Sequence, residues 1–204
     1  MINLQRKIFD AFQSVKKNKW DYSSFIGQEL ASLTIGIIGL GKLGCQIAKI
    51  AKAFEMNVIA WSENLKIAHA TENGVLAVTK EELLEQSDFV SIHYVLSERS
   101  KDLLKYEDIC KMKTTAFLIN TSRGPIINEE DLVRALQEEK IAGAGIDVYE
   151  HEPLPESHKL RFLPNAFLTP HIGYVTQENY IKFYSQMAED LQAFIDGEPI
   201  RILS

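Results

Sequence analysis

Three short segments carry the side chains with the widest chemical reach: Asn120-Thr-Ser-Arg-Gly124, Gly145-Ile-Asp-Val-Tyr-Glu-His-Glu-Pro153 and Thr169-Pro-His-Ile-Gly173. Arg123 offers a permanently charged planar fork, which grips a carboxylate or polarises a carbonyl oxygen better than a titratable or single-point donor. His171 brings an imidazole, the side chain whose ordinary titration lies nearest neutral pH and which can therefore give or take a proton. A carboxylate such as Glu152 set against an imidazole fixes its tautomer and stabilises the imidazolium. Each segment sits at or just past the C-terminal end of an expected strand, where open α/β sheets bind their ligands, so a guanidinium, a carboxylate and an imidazole converge on one crevice.

A fourth segment, Gly39-Leu-Gly41-Lys-Leu-Gly44, is a GxGxxG run. Alone it is weak, because glycines are common in turns; its context gives it meaning. It follows an expected strand and opens an expected helix, so Gly39 makes the tight turn, Gly41 lets the backbone approach a pyrophosphate and Gly44 lets helix and strand pack closely. The amides of the first helical turn, Lys42 and Leu43 included, would face the phosphates at the positive end of the helix dipole. The second strand ends in Trp61-Ser-Glu-Asn64, where an acidic residue that bonds the adenosine ribose is expected. Ser62 takes that position and is uncharged; Glu63, one residue late, either substitutes for it or is a solvated loop charge. NAD is preferred over NADP for want of an arginine in this stretch, and NADP is not excluded. Trp61 should lie near the adenosine.

The elements that must position these groups follow from hydrophobic periodicity. Residues 2–19 space Ile2, Leu4, Ile8, Phe9, Phe12 and Val15 as one amphipathic helix. Strands are expected at 34–39, 57–62, 75–78, 89–94, 116–121, 142–148 and 166–169. Helices are expected at 42–54, 65–72, 80–86, 129–137 and 176–196. Near-continuous apolar strands alternating with helices imply a parallel sheet covered on both faces. Right-handed crossovers then make it an α/β, doubly wound sheet, a Rossmann fold, here as a single dinucleotide-binding domain. On the closing helix, Phe183, Tyr184 and Phe194 are expected to pack.

Composition narrows the class. The 204 residues are 46% hydrophobic, enough for one core of ordinary size, and the net charge of −6 argues against nucleic-acid binding. Lys16, Lys17 and Lys19 read as a solvated helix face. Cys45 and Cys110 form no CxxC pair and are expected to be free thiols. The N-terminus lacks a secretory apolar stretch and no segment has the length to span a bilayer, so the cytoplasm is expected and a membrane partner is not. No histidine pair has ligand spacing, so no metal is expected; His69, His93, His151 and His158 are assigned to structure or solvent.

The Gly-rich turn followed in order by NTSRG, AGAGIDVYEHEP and LTPHIG resembles the D-isomer-specific 2-hydroxyacid dehydrogenases, a likeness that runs from about Phe25 to Leu203 and is phosphoglycerate dehydrogenase-like. The resemblance implies hydride transfer between NAD(P)(H) and a small 2-hydroxy or 2-keto acid, with Arg123, Glu152 and His171 catalytic. It gives Asp147 the nicotinamide carboxamide, and makes Lys42, Leu43, Ser62, Tyr94, Thr121 and Ser122 cofactor contacts. Taken singly, Arg123 is also readable as a turn residue, Glu152 as an acidic loop residue beside Glu150 and Glu156, and His171 as a core histidine; their joint occurrence in the family's order favours the catalytic reading. By the same likeness, residues 1–20 correspond to an interdomain-type helix, 21–180 to the Rossmann domain and 181–204 to a C-terminal helix and tail. The front part of the substrate domain is expected to be absent, which implies dinucleotide binding with poor turnover of 2-keto acids. A non-catalytic NAD(H)-binding or sensing module is the alternative, and a homodimer is expected in either case.

Overall fold

A computed structural model describes residues 1–202 of the chain. Seven strands form one sheet: β1 (Thr34–Ile38), β2 (Asn57–Trp61), β3 (Leu76–Ala77), β4 (Phe89–Ile92), β5 (Phe117–Asn120), β6 (Gly143–Ile146) and β7 (Ala166–Leu168). The order is β3-β2-β1-β4-β5-β6-β7 and every neighbouring pair is parallel. The chain builds outward from β1 to β3, then crosses back to lay β4 on the other side of β1. The C-terminal ends of β1 and β4 therefore border the point where strand order reverses, the place such sheets bind ligands.

Alternation along each strand divides the core between the two faces. Ile35 and Ile37 of β1, Val58 and Ala60 of β2 and Phe89 of β4 point to one face, where α3 (Lys42–Ala53) and α4 (Ile67–Glu72) cover them with Ala48, Ala51 and Ala70. Ile38, Ile59, Val90, Ile92 and Leu118 point to the other, under α5 (Lys80–Gln86), α6 (Tyr106–Ile109) and α7 (Glu129–Gln137). Leu83, Leu84, Ile109, Leu132 and Leu136 supply the helical side of that layer. Each such Leu or Ile stabilises by roughly 1.5–3 kcal/mol on burial, which is why strands with no polar face suit this sheet. Thr79 and Glu82 close a capping box on α5, and Asn128 accepts the Asp131 N–H at the start of α7.

The leading segment departs from the single expected helix. It folds as α1 (Ile2–Arg6) and α2 (Ile8–Lys16), broken at Lys7, whose φ is 45°. Asn3 is the cause: its Oδ1 accepts the Phe9 N–H at 2.9 Å, a side-chain bond that competes with the helical ladder and starts a new helix. Leu4 of α1 rests on Gly145 of β6, where a Cβ would lie 3.2 Å from Leu Cδ1, and Phe9 meets Phe167 edge-on at 6.3 Å. Ile8, Phe12 and Val15 of α2 remain about half exposed.

From residue 171 to the last described residue the chain forms a second compact unit, built on α8 (Gln177–Ile195). Thr176 caps it by accepting the Asn179 N–H, and Arg201 pairs with Glu189 and Asp190 at 2.6 and 2.7 Å. Of the three aromatics expected to pack, Phe183 meets Tyr174 with ring centroids 6.3 Å apart and Tyr184 meets Tyr180 at 6.0 Å, within this unit, whereas Phe194 is largely exposed. Among the described residues, no helix is long and apolar enough to cross a membrane.

Candidate active site

At the end of β1 the chain reverses through Gly39, whose φ of 96° is costly for any residue with a Cβ. A Cβ there would also meet the His93 carbonyl oxygen at 2.6 Å, while the Gly39 N–H donates to the Trp61 carbonyl at 2.9 Å. Gly44 carries the next constraint, since its Cβ would lie 2.1 Å from the Gly39 carbonyl oxygen. Gly41, the N-cap of α3, differs: nothing lies within 4 Å of the Cβ it lacks. The protein itself has no packing need for glycine here, which fits a ligand occupying that space. No side chain caps α3 and its first turn holds no acid, so the amides that helix geometry leaves without acceptors suit a phosphate. Lys42 and Leu43 open this turn and are exposed.

At the end of β2, Trp61 stacks on Tyr94 with ring centroids 6.4 Å apart and planes 17° apart. Ser62 is half-buried, and the Glu63 N–H donates to Tyr94 Oη at 3.3 Å. The Glu63 carboxylate lies 3.9 Å from the Arg99 guanidinium. No sequence signal pointed to Arg99, because the loop after β4 brings it in from a distant stretch of chain.

Asn120, the last residue of β5, is buried and organises the next segment: its Oδ1 accepts the Ser122 N–H at 3.0 Å and its Nδ2 donates to the Arg123 carbonyl at 2.9 Å. Ser122 Oγ donates to the Tyr94 carbonyl at 2.5 Å, which ties the β5 loop to the β4 loop. Thr121 and Arg123 are exposed, the guanidinium donating to the Ser122 carbonyl at 2.6 Å. Gly124 presses on the end of β6: its Cβ would lie 2.0 Å from the Tyr149 carbonyl carbon.

Beyond β6, Asp147 is nearly fully buried; its Oδ1 accepts from Thr169 Oγ1 at 2.5 Å and its N–H donates to the Asn120 carbonyl. The Tyr149 hydroxyl lies 3.2 Å from the Ile146 carbonyl and 2.9 Å from the Thr169 carbonyl. Burial, and then the nearby Asp147 carboxylate, push its pKa up to about 12. The Tyr149 N–H donates to Glu152 Oε1 at 2.9 Å, and Glu152 is exposed. Asn120, Tyr149 and Thr169 are thus the supports of this edge. Tyr94, Ser122, Arg123, Asp147 and Glu152 are linked by these bonds and by the Gly124 contact. His171 opens the second unit, its φ is 54°, and its ring meets Tyr174 edge-on at 5.5 Å.

The remaining histidines are satisfied locally or solvated. His93 Nε2 lies 2.9 Å from Ser91 Oγ, and burial pushes its pKa down to about 4. His69 Nε2 meets the Leu40 carbonyl at 3.1 Å, His158 Nε2 meets Glu129 at 3.0 Å and His151 is exposed. Among the described residues no cluster of His, Cys, Asp and Glu could hold a metal ion.

The family model described as "D-isomer specific 2-hydroxyacid dehydrogenase, NAD binding domain" matches residues 1–173. A D-3-phosphoglycerate dehydrogenase of Synechocystis sp. is 39% identical over 98% of this chain and 36% of its own length. A glyoxylate reductase of Korarchaeum cryptofilum is 37% identical over 95% of this chain and 59% of its own. The solved apo-structure of D-lactate dehydrogenase from Escherichia coli superimposes with a TM-score of 0.89 at 30% identity, covering 98% of this chain and 63% of that one. The chain therefore spans between about a third and two thirds of the relatives it matches. It belongs to the D-isomer specific 2-hydroxyacid dehydrogenase family and carries that family's NAD-binding domain.

Proposed function

We propose that this chain is the cofactor-binding and catalytic part of a dehydrogenase acting between NAD(P)(H) and a small 2-hydroxy or 2-keto acid, of the phosphoglycerate dehydrogenase or glyoxylate reductase kind. The observation that carries the reading is the space in front of Gly41, at the same sheet edge as the Arg123 loop that Asn120 and Gly124 hold in place. The first-turn amides of α3, at Lys42 and Leu43, take the pyrophosphate, with Gly39 and Gly44 shaping the turn around it. Ser62 and Tyr94 serve the adenosine end, and Thr121, Ser122 and Asp147 the nicotinamide end. When bound, the nicotinamide supplies or accepts the hydride.

The protein's own groups do the rest. Arg123 fixes the substrate carboxylate or polarises its carbonyl. His171 gives a proton to the carbonyl oxygen in reduction and takes it back in oxidation, and Glu152 is assigned the holding of that imidazole in one tautomer. A homodimer in the cytoplasm belongs to the same proposal, supported by the half-exposed apolar face of α2 and by two free thiols.

The test is a titration of the chain with NADH and NADPH followed by Trp61 fluorescence, in a Trp20→Phe background, and then addition of glyoxylate, pyruvate and hydroxypyruvate while reduced-nicotinamide absorbance is recorded. Binding with slow or no turnover is expected, and any turnover should vanish in Arg123→Ala. A folded chain that binds neither dinucleotide would sink the proposal. Sedimentation at assay concentration checks the dimer, which a clean monomer would refute.

A further inference from the structure

Beside Ser62 at the end of β2, Glu63 and Arg99 form a charge pair to which the proposed function gives no role. Resting on that reading, we propose that this subsite accepts both forms of the dinucleotide, with Glu63 taking the free ribose diol of NADH and Arg99 the 2′-phosphate of NADPH. The end of β2 is where such sheets meet the adenosine ribose, and there a carboxylate selects the diol whereas a nearby arginine accommodates the phosphate. This chain presents both groups 3.9 Å apart. Ser62, first in line after β2, is neutral and repels neither cofactor.

The two side chains are poised to exchange partners. Their pairing is long, and both are largely exposed, Arg99 at 78% and Glu63 at 58%, so it is screened and weak. A 2′-phosphate, dianionic and able to take a guanidinium in bidentate fashion, outcompetes a single solvated carboxylate. The backbones behind both groups are fixed. The Glu63 N–H is held by Tyr94 Oη, and Tyr94 is stacked on Trp61. Arg99 precedes Ser100, which is fully buried; its Oγ accepts the Ser97 N–H and donates to the Val95 carbonyl, each at 2.7 Å. Only the side chains need to move.

The experiment measures the NADPH and NADH dissociation constants of the intact chain by Trp61 fluorescence, for wild type, Arg99→Gln and Glu63→Gln, at low and moderate salt. Wild type should bind the two within roughly tenfold of each other, with NADPH the more salt-sensitive. Arg99→Gln should lower the NADPH-to-NADH affinity ratio by about tenfold or more, and Glu63→Gln should raise it by several-fold. The ratio is insensitive to a general loss of folded protein, which lowers both affinities together. A wild type that binds NADH but takes NADPH more than about a hundredfold more weakly, or a ratio that Arg99→Gln leaves unmoved, would overturn this inference while leaving the dinucleotide site standing. Failure to bind either cofactor would overturn both.

Discussion

Replacing Gly41 and Gly44 separately by Ala distinguishes a glycine kept for a ligand from one kept for the fold. At Gly41 the added methyl has nothing within 4 Å. Ala is a poorer N-cap than Gly by about 0.5–1 kcal/mol, and it restricts the unfolded chain by about 0.4–1 kcal/mol in the opposite sense. The two nearly cancel, so Tm should move by no more than about 2 °C. The methyl nevertheless fills the space a phosphate oxygen would enter. Losing even one charge-assisted amide bond of about 1.5–3 kcal/mol raises the NADH Kd by roughly ten- to a hundredfold. At Gly44 the methyl meets the Gly39 carbonyl at 2.1 Å and must retreat to the 3.4 Å where ordinary contact begins, so the start of α3 shifts by about 1.3 Å. That overpacking costs about 1–3 kcal/mol, or roughly 2–10 °C in Tm, and it displaces the amides as well. Differential scanning fluorimetry with fluorescence titration reads both quantities. Should Gly41→Ala bind NADH within threefold of wild type, the assignment of that space to the pyrophosphate is wrong.

Asn120→Ala removes two hydrogen bonds from a buried position and frees the Arg123 turn, so urea unfolding should show a loss of about 2–4 kcal/mol. Phe89→Ala empties a fully buried site whose ring lies 5.6 Å from that of Phe117; a loss of about 3–5 kcal/mol is expected, and less than 1 would show that the site collapses freely. His93 gives a pH signature. Burial holds its folded pKa near 4, below the ordinary 6.5, so the unfolded chain binds the proton more readily. Its contribution is complete above pH 6.5 and drains away as pH falls towards 4, to a total of at most about 3 kcal/mol. His93→Gln should flatten the stability profile in that window, and parallel profiles for the two proteins would refute the assignment.

The sheet was legible because its strands are apolar on both faces and alternate with amphipathic helices, and the placement of β1, α3 and β2 around the Gly-rich turn needed only that pattern. Strand ends were read long by one or two residues: Val75 and Val78 flank a β3 of only Leu76–Ala77, because an edge strand stops where pairing with β2 stops. α6 is a single turn, too short to show a period. The break at Lys7 was hidden because apolar spacing continues through it, while Asn3, the residue that makes it, reads as an ordinary polar position. Site residues carried by a motif were visible. Arg99 was not, for its proximity to Glu63 exists only after β4 has crossed back beside β1.

Leu4 seated on Gly145 sets an order of events during synthesis. The first helix leaves the ribosome long before the strand that receives it, and α1 has too few residues to persist alone in water. β1, α3 and β2 are neighbours in sequence and can associate early, whereas α1 must wait until β6 has emerged and joined β5. A contact of such long range closes late because its loop entropy must be met first. In pulse-labelled hydrogen exchange during refolding, the amides of residues 5 and 6 should therefore gain protection after those of β1 and β4, and an early-protected α1 would show that it docks elsewhere first.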